Sequence, residues 1–260
     1  MLITLTTDFG IRDPNAAALK GALLRLGIPG LQLVDVTHEI APFDIVQAAY
    51  VLRNAWEAFP AETIHVLLIN TRYEQDPQMV ILKRAEQWFI APDNGLLALL
   101  FEEPEGEVWS KSWDSVSEER FQLRTLLSQI VQHIHAGLPM GELAEKANGY
   151  TERLTLRPVI SQHQIRCSVA YIDQYDNVVL NLTQPMFDRA CKGRAFSLFF
   201  KNSDPLTEVS KHYSDVSIGE VLCRFNSASH LELAINLGSA ASMLGLELDD
   251  TIQIDFQDPE

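Results

Sequence analysis

An aspartate, Asp8, stands directly behind a short apolar run, Leu2 to Leu5, within Thr6-Thr7-Asp8-Phe9-Gly10. Three more compact polar clusters follow it. They are Pro92-Asp93-Asn94-Gly95, Asp173-Gln174-Tyr175-Asp176-Asn177, and Asn226-Ser227 ahead of Leu231-Glu232-Leu233-Ala234-Ile235-Asn236. Each lies directly before or after an apolar segment of strand character. Ligand-holding side chains gather on loops at strand ends, because strands fix the loops and leave their polar tips free. A carboxylate there can accept two hydrogen bonds at once, which is what a ribose diol offers. The set reads as a nucleoside site.

Taken singly, each cluster has a plain structural meaning. Asp8 fits a turn or cap, and Pro92 to Gly95 fits a turn that opens a helix. Asp173 to Asn177 fits a hairpin loop, and Tyr213 fits a core or edge aromatic. Other chemistries lack their residues. No GxGxxG follows a strand, no GxxxxGK[ST] is present, and no GxSxG elbow marks a serine hydrolase. His38-Glu39 has no second His after it, and His133 and His135 point to different sides of a helix, so no metal site is expected.

The elements that must position these residues fall into two textures. Leu2–Leu5, Leu31–Val36, Thr63–Ile69, Met79–Leu82 and Trp88–Ala91 read as strands. They interleave with helical patterns over Ala16–Leu26, Asp44–Phe59 and Phe121–Ala136. Asp44 is placed as the N-cap of the second helix and Pro60 as its stop. The unbroken apolar run Thr63–Ile69 suits a strand buried on both faces. Beyond residues 148–158 short strands dominate: Gln164–Ile172, Val178–Leu182, Ala195–Phe200, Val221–Phe225, Leu231–Ile235 and Thr251–Phe256, with only Ser239–Leu244 helical. The expected fold is α/β: an N-terminal layered α/β domain with a mainly parallel sheet over 1–155. A C-terminal, mostly antiparallel β domain follows over 165–260.

Composition narrows the partners. The 260 residues, 47% hydrophobic, suffice for buried cores. Thirty-five acids against 20 bases leave a net charge of −15, which excludes the basic footprint that nucleic acid requires. The three cysteines, Cys167, Cys191 and Cys223, form no CxxC pair, so reduced thiols in a cytoplasmic protein are expected. The first residues lack the basic and apolar regions of a secretory signal, and no apolar run is long enough to span a membrane.

The clusters also occur in a recognisable order. Thr6-Thr7-Asp8-Phe9-Gly10, Val34-Asp35-Val36-Thr37-His38-Glu39-Ile40, Ile90-Ala91-Pro92-Asp93-Asn94-Gly95 and Tyr171-Ile172-Asp173-Gln174-Tyr175-Asp176-Asn177 come first. Tyr213-Ser214-Asp215-Val216, Gly219-Glu220 and Ala234-Ile235-Asn236-Leu237-Gly238-Ser239-Ala240-Ala241 follow. In this order they resemble the S-adenosylmethionine hydroxide adenosyltransferase family, relatives of the fluorinase and chlorinase. The resemblance implies a homotrimer that holds its nucleoside ligand between unlike domains of neighbouring subunits, with S-adenosylmethionine as substrate and no cofactor or metal. It implies that Asp8 grips the ribose hydroxyls, Asp173 pairs with the methionine ammonium and Ser227 lies near its carboxylate. Tyr213 would stack on adenine and Asn177 would read the base. Tyr175 replaces a family Phe, and Asp176 a family Gly, a change expected to alter the loop because Gly tolerates positive φ better.

The departures concern the nucleophile. Hydrolytic relatives carry V-D-P-G-V-G after the strand at Thr63–Ile69, where this chain has Asn70-Thr71-Arg72-Tyr73-Glu74-Gln75-Asp76. Asn70 takes the place of a water-orienting Asp, no Arg is in register, and Gln122 falls where the family has His. Asn70 and Gln122 could position a water, but neither can serve as a base at neutral pH. Losing base assistance typically costs about 10²–10⁴-fold. Glu74 or Asp76 could substitute if their loop turns inward. The expected activity is hydrolysis to adenosine and methionine. The alternatives are a non-catalytic S-adenosylmethionine or adenosine binder and, less favoured because Leu123 offers bulk without a donor, a halogenase.

Overall fold

The computed structural model describes residues 1–71, 77–101, 105–113, 120–153, 157–201 and 204–257, without the side chains of 120 and 121. It divides into two compact units, Met1–Leu154 and Thr155–Glu260.

The first unit runs β1 (Leu2–Thr7), α1 (Asn15–Leu24), β2 (Gln32–Thr37), α2 (Ile45–Arg53), β3 (Ile64–Leu68) and β4 (Gln78–Arg84). It continues with β5 (Gln87–Pro92), α3 (Leu96–Leu100), β6 (Glu107–Ser112), α4 (Arg120–His135) and β7 (Glu145–Lys146). Its sheet has the order β2-β1-β3-β5-β4-β6-β7. β2, β1, β3 and β5 are parallel, while β4, β6 and β7 add on antiparallel, so the sheet is mixed.

The alternation along the strands explains the layers. Ile3, Leu5, Ile64, Val66 and Leu68 face one core with Leu19 and Leu23 of α1 and Leu127 and Ile130 of α4. Leu67, Ile69, Val80 and Phe89 face the other core with Ala48 and Leu52 of α2 and Leu96 of α3. A strand covered on both faces has no reason to alternate polar and apolar residues, which is why Thr63–Ile69 is nearly all apolar. Asp44 caps α2 by accepting the Gln47 N–H at 2.9 Å. That helix is shorter than its pattern: it ends at Arg53, and Trp56–Ala58 forms a separate 3₁₀ turn.

The second unit runs β8 (Val159–Ile160), β9 (Gln164–Ile172), β10 (Val178–Thr183), α5 (Gln184–Cys191) and β11 (Phe196–Phe199). β12 (Val221–Phe225), β13 (His230–Ile235), α6 (Ala240–Leu244) and β14 (Thr251–Phe256) complete it. The strands pair antiparallel in the order β11-β14-β9-β10-β13-β12, with β8 on β9. Residues such as Ile165, Val178, Leu180, Leu231 and Leu233 share one core with Phe187 and Cys191 of α5. α5 is a helix that the strand-rich pattern did not announce. No helix among the described residues is long and apolar enough to cross a membrane.

Candidate functional site

In the first unit, β1 has β2 on one side and β3 on the other, so the strand order reverses at β1. Open α/β sheets bind ligands outside the carboxyl ends of their strands at such a point. Asp8 follows β1 there, and Asn70 follows β3. They are bonded directly: Asp8 Oδ2 accepts the Asn70 N–H at 3.1 Å and the Phe43 N–H at 3.1 Å. One carboxylate oxygen thus ties together three chain segments. The other, Oδ1, has no partner among the described residues and is available to a ligand hydroxyl.

The loop bearing Asp8 is also gripped from β2. The Thr7 hydroxyl meets His38 Nδ1 at 2.8 Å, and the Gly10 N–H donates to the His38 carbonyl at 2.7 Å. Buried His38 in turn has Nε2 3.1 Å from Asp35 Oδ1.

The peptide that joins Ile69 to Asn70 is held at both ends. Its N–H goes to Asp8, and its carbonyl accepts the Asn94 Nδ2 at 2.9 Å. Asn94 is buried and its Oδ1 accepts the Leu96 N–H at 3.2 Å, opening α3. Pro92 to Gly95 is therefore a turn with a second task, fixing the exit of β3. Gly95, at φ +90°, lies against Arg153, where a Cβ would sit 2.0 Å from Cγ. Asn70 has φ +50°, a conformation that Asn tolerates better than most residues. It lines a small open pocket with Thr71, Gln78, Asp93, Asn94 and Trp113.

Gln122 is half-buried in the first turn of α4. The next residue, Leu123, packs on the same apolar cluster as Phe9 and Trp113, so the start of α4 shares a core with both neighbours of the Asp8 and Asn70 loops. Glu74, with Arg72 and Asp76, lies outside the described residues.

In the second unit, Asp173, Tyr175 and Asn177 form one closed loop. Asp173 Oδ1 accepts the N–H groups of Tyr175 (2.9 Å) and Asn177 (2.8 Å), and Oδ2 accepts Asn177 Nδ2 at 3.0 Å. Asn177 is buried, while the Tyr175 side chain is 79% exposed. Asp176 has φ +66° and keeps the left-handed backbone. Its Oδ2 accepts the Ser242 N–H at 2.8 Å and its carbonyl the Ala241 N–H at 2.9 Å, tying the loop to the start of α6. The Asp therefore retains a left-handed turn and adds a tether to it. Ser227 is exposed on the turn between β12 and β13, which Asn226 closes by accepting the Ala228 and His230 N–H groups, each at 3.0 Å.

Tyr213 does not stand alone. Its hydroxyl donates to Glu232 Oε1 at 2.8 Å, and the Arg224 guanidinium lies over its ring at 4.5 Å. Glu232 is 2% exposed, and no expectation singled it out. The signal lay in Leu231-Glu232-Leu233: its apolar neighbours enter the core, which puts Glu232 on the opposite sheet face, paired across strands with Val179 and Arg224. Burial pushes its carboxyl above the usual carboxylate range, against the hydrogen bond from Tyr213 and the charge of Arg224. Burial also raises the Tyr213 phenol, with Glu232 adding to it.

Among the described residues no group of three or more His, Cys, Asp or Glu side chains could hold a metal ion. The three cysteines are buried and unpaired, and burial pushes the Cys167 and Cys223 thiols up to about 12, away from nucleophilic use.

An α/β unit with a carboxylate at its switch point, followed by an antiparallel β unit with polar loops, is an architecture that can hold a small molecule. Family comparison makes the class specific. Residues 3–144 match the SAM (S-adenosylmethionine) hydroxide adenosyltransferase N-terminal domain, and residues 167–253 match the C-terminal domain. The chain belongs to the SAM hydroxide adenosyltransferase family.

Its relatives include the (R)-S-adenosyl-L-methionine hydrolase of Methanocaldococcus jannaschii, 24% identical over 97% of this chain and 95% of that protein. The enzyme of the same name from Thermus thermophilus is 27% identical over 93% and 94%. A fluorinase of Nocardia brasiliensis is 23% identical over 97% and 96%. The crystal structure of an uncharacterized conserved protein from Thermotoga maritima superposes with a TM-score of 0.83 at 25% identity, covering 98% of this chain and all (100%) of the other.

Proposed function

We propose that the protein hydrolyses S-adenosylmethionine to adenosine and methionine. Water attacks the ribose C5′ in line with the departing sulfur. The water loses a proton to the candidate base, and the C–S electron pair leaves with methionine. A sulfonium departs as a neutral thioether, so the leaving group needs neither a proton nor a metal, and no cofactor is assigned. What remains for the protein is to align the groups and strip water from the nucleophile.

The observation that carries this reading is the 3.1 Å hydrogen bond from the Asn70 N–H to Asp8, the residues we assign to the water and to the ribose. Full-length likeness to proteins named (R)-S-adenosyl-L-methionine hydrolase supports it. Asp8 takes the ribose through Oδ1, Asp173 the methionine ammonium and Ser227 its carboxylate. Tyr213 stacks on adenine, Asn177 reads its edge, and exposed Tyr175 covers the ligand. Asn70 and Gln122 hold the water, with Glu74 as the candidate base. Leu123, partly buried against the core, offers no halide a donor, which disfavours halogenation. The protein acts in the cytoplasm as a homotrimer, where its unpaired cysteines stay reduced.

A second reading, binding without turnover, is favoured by one fact: the Asn70 amide cannot accept a proton from water. Chromatography of the protein incubated with S-adenosylmethionine separates the two. Hydrolysis predicts adenosine and methionine, with turnover rising in Asn70→Asp and falling in Glu74→Gln at unchanged affinity. Ligand binding with no product in wild type or Asn70→Asp would leave the binding reading in its place.

A further inference from the structure

The second unit buries one carboxylate on the sheet face opposite its core, and that carboxylate holds an aromatic ring. We propose that Glu232 is a positioning residue for a nucleobase platform: it fixes Tyr213 through the phenol hydroxyl and holds Arg224 against one face of the ring. The inference rests on the nucleoside reading above and adds a residue to it.

Glu232 lies on β13 beside Arg224 of β12, its direct cross-strand partner, with Arg224 Nη1 3.7 Å from Oε1. The same oxygen accepts the Tyr213 hydroxyl at 2.8 Å. Tyr213 opens the short turn Tyr213–Asp215, which Asp215 Oδ2 closes by accepting the Lys211 and His212 N–H groups, and the residue is 39% exposed. A ring so exposed would rotate freely without a tether. The hydroxyl bond removes that freedom before a ligand arrives, so less ordering cost falls on binding. Arg224 occupies one face at 4.5 Å, so a flat ligand can stack only on the other.

A buried charge with a single polar partner would be costly; here a phenol and a guanidinium share it. That arrangement differs from a purely structural ion pair in one measurable way. If Glu232 acts through Tyr213, its effect on a stacked ligand disappears once the hydroxyl is gone.

The test is a double-mutant cycle with Glu232→Gln, Tyr213→Phe and the pair, using adenosine as probe in calorimetry and thermal unfolding as the check on folding. Tyr213→Phe keeps the ring and loses the tether. It should weaken adenosine binding by about 3- to 10-fold, the ordinary worth of one hydrogen bond. Glu232→Gln should weaken it by a similar factor in wild type and by less than about 2-fold in the Tyr213→Phe background. Additive losses, or unchanged affinity in both single variants, would overturn the role of Glu232 while leaving the nucleoside reading intact. Wild-type protein that does not bind adenosine would overturn both.

Discussion

The carboxylate of Asp8 accepts the backbone N–H of Asn70 at 3.1 Å, joining the carboxyl ends of β1 and β3. Sixty-two positions of sequence separate these residues. The bond makes the residue proposed to hold the ribose and the residue proposed to face the nucleophile one mechanical unit, so a change at Asp8 should reach both binding and alignment.

Asp8→Asn keeps an acceptor for the N–H groups of Phe43 and Asn70 but removes the charge offered to a ligand hydroxyl. Adenosine affinity should fall by about 1–3 kcal/mol, while the thermal midpoint stays near wild type. Calorimetry checks the first expectation and thermal unfolding the second. Unchanged affinity would leave Asp8 as a turn residue.

Asn94→Ala frees the Ile69 carbonyl and the start of α3 together. Both are buried, so the variant should lose about 1–3 kcal/mol of stability by urea unfolding. Because the Ile69–Asn70 peptide is released next to the proposed water site, kcat should fall by more than adenosine affinity does. Equal losses in both would show that Asn94 supports only the fold.

His65 sets a pH dependence. It is fully buried, with Nδ1 accepting from the Thr4 hydroxyl at 2.7 Å and Nε2 donating to Gln87 Oε1 at 2.5 Å, a pattern that satisfies the neutral ring. Burial holds its pKa below the ordinary 6.5, against the opposing Gln87 hydrogen bond. The unfolded chain therefore binds the extra proton first. The contribution of His65 to stability is complete above pH 6.5 and is lost as pH falls below it. Urea unfolding between about pH 7.5 and pH 5 should show the gap between wild type and His65→Asn narrowing toward acid. A gap that does not change with pH would contradict this.

Much of the fold is legible in the chain because its signals are local. The Asp44 cap precedes its helix directly, and Thr63–Ile69 is apolar because both faces of β3 are covered. α5 was hidden for the opposite reason. It has only eight residues, its two buried positions are Phe187 and Cys191, and it starts at Gln184 right behind β10 with Pro185 in its first turn, too little for a helical period. The site divides in the same way. Asp8 and the Asp173–Asn177 loop announce themselves by position. The clamp from Asn94 to Ile69 crosses 25 positions, and Glu232 looks like an exposed strand residue until Tyr213 folds over it. Asp176 illustrates a local rule outweighed by context. Its positive φ is retained because two hydrogen bonds to α6 hold it, where glycine would rely on freedom alone.

The central claim is that water attacks the ribose C5′ in this protein's site. Incubation with S-adenosylmethionine in oxygen-18-labelled water, followed by mass spectrometry of the nucleoside, tests it most directly. The account predicts methionine together with adenosine that carries the heavy oxygen in its 5′-hydroxyl, with the rate reduced in Asp8→Asn. No adenosine above a protein-free control, or adenosine without the label, would contradict it.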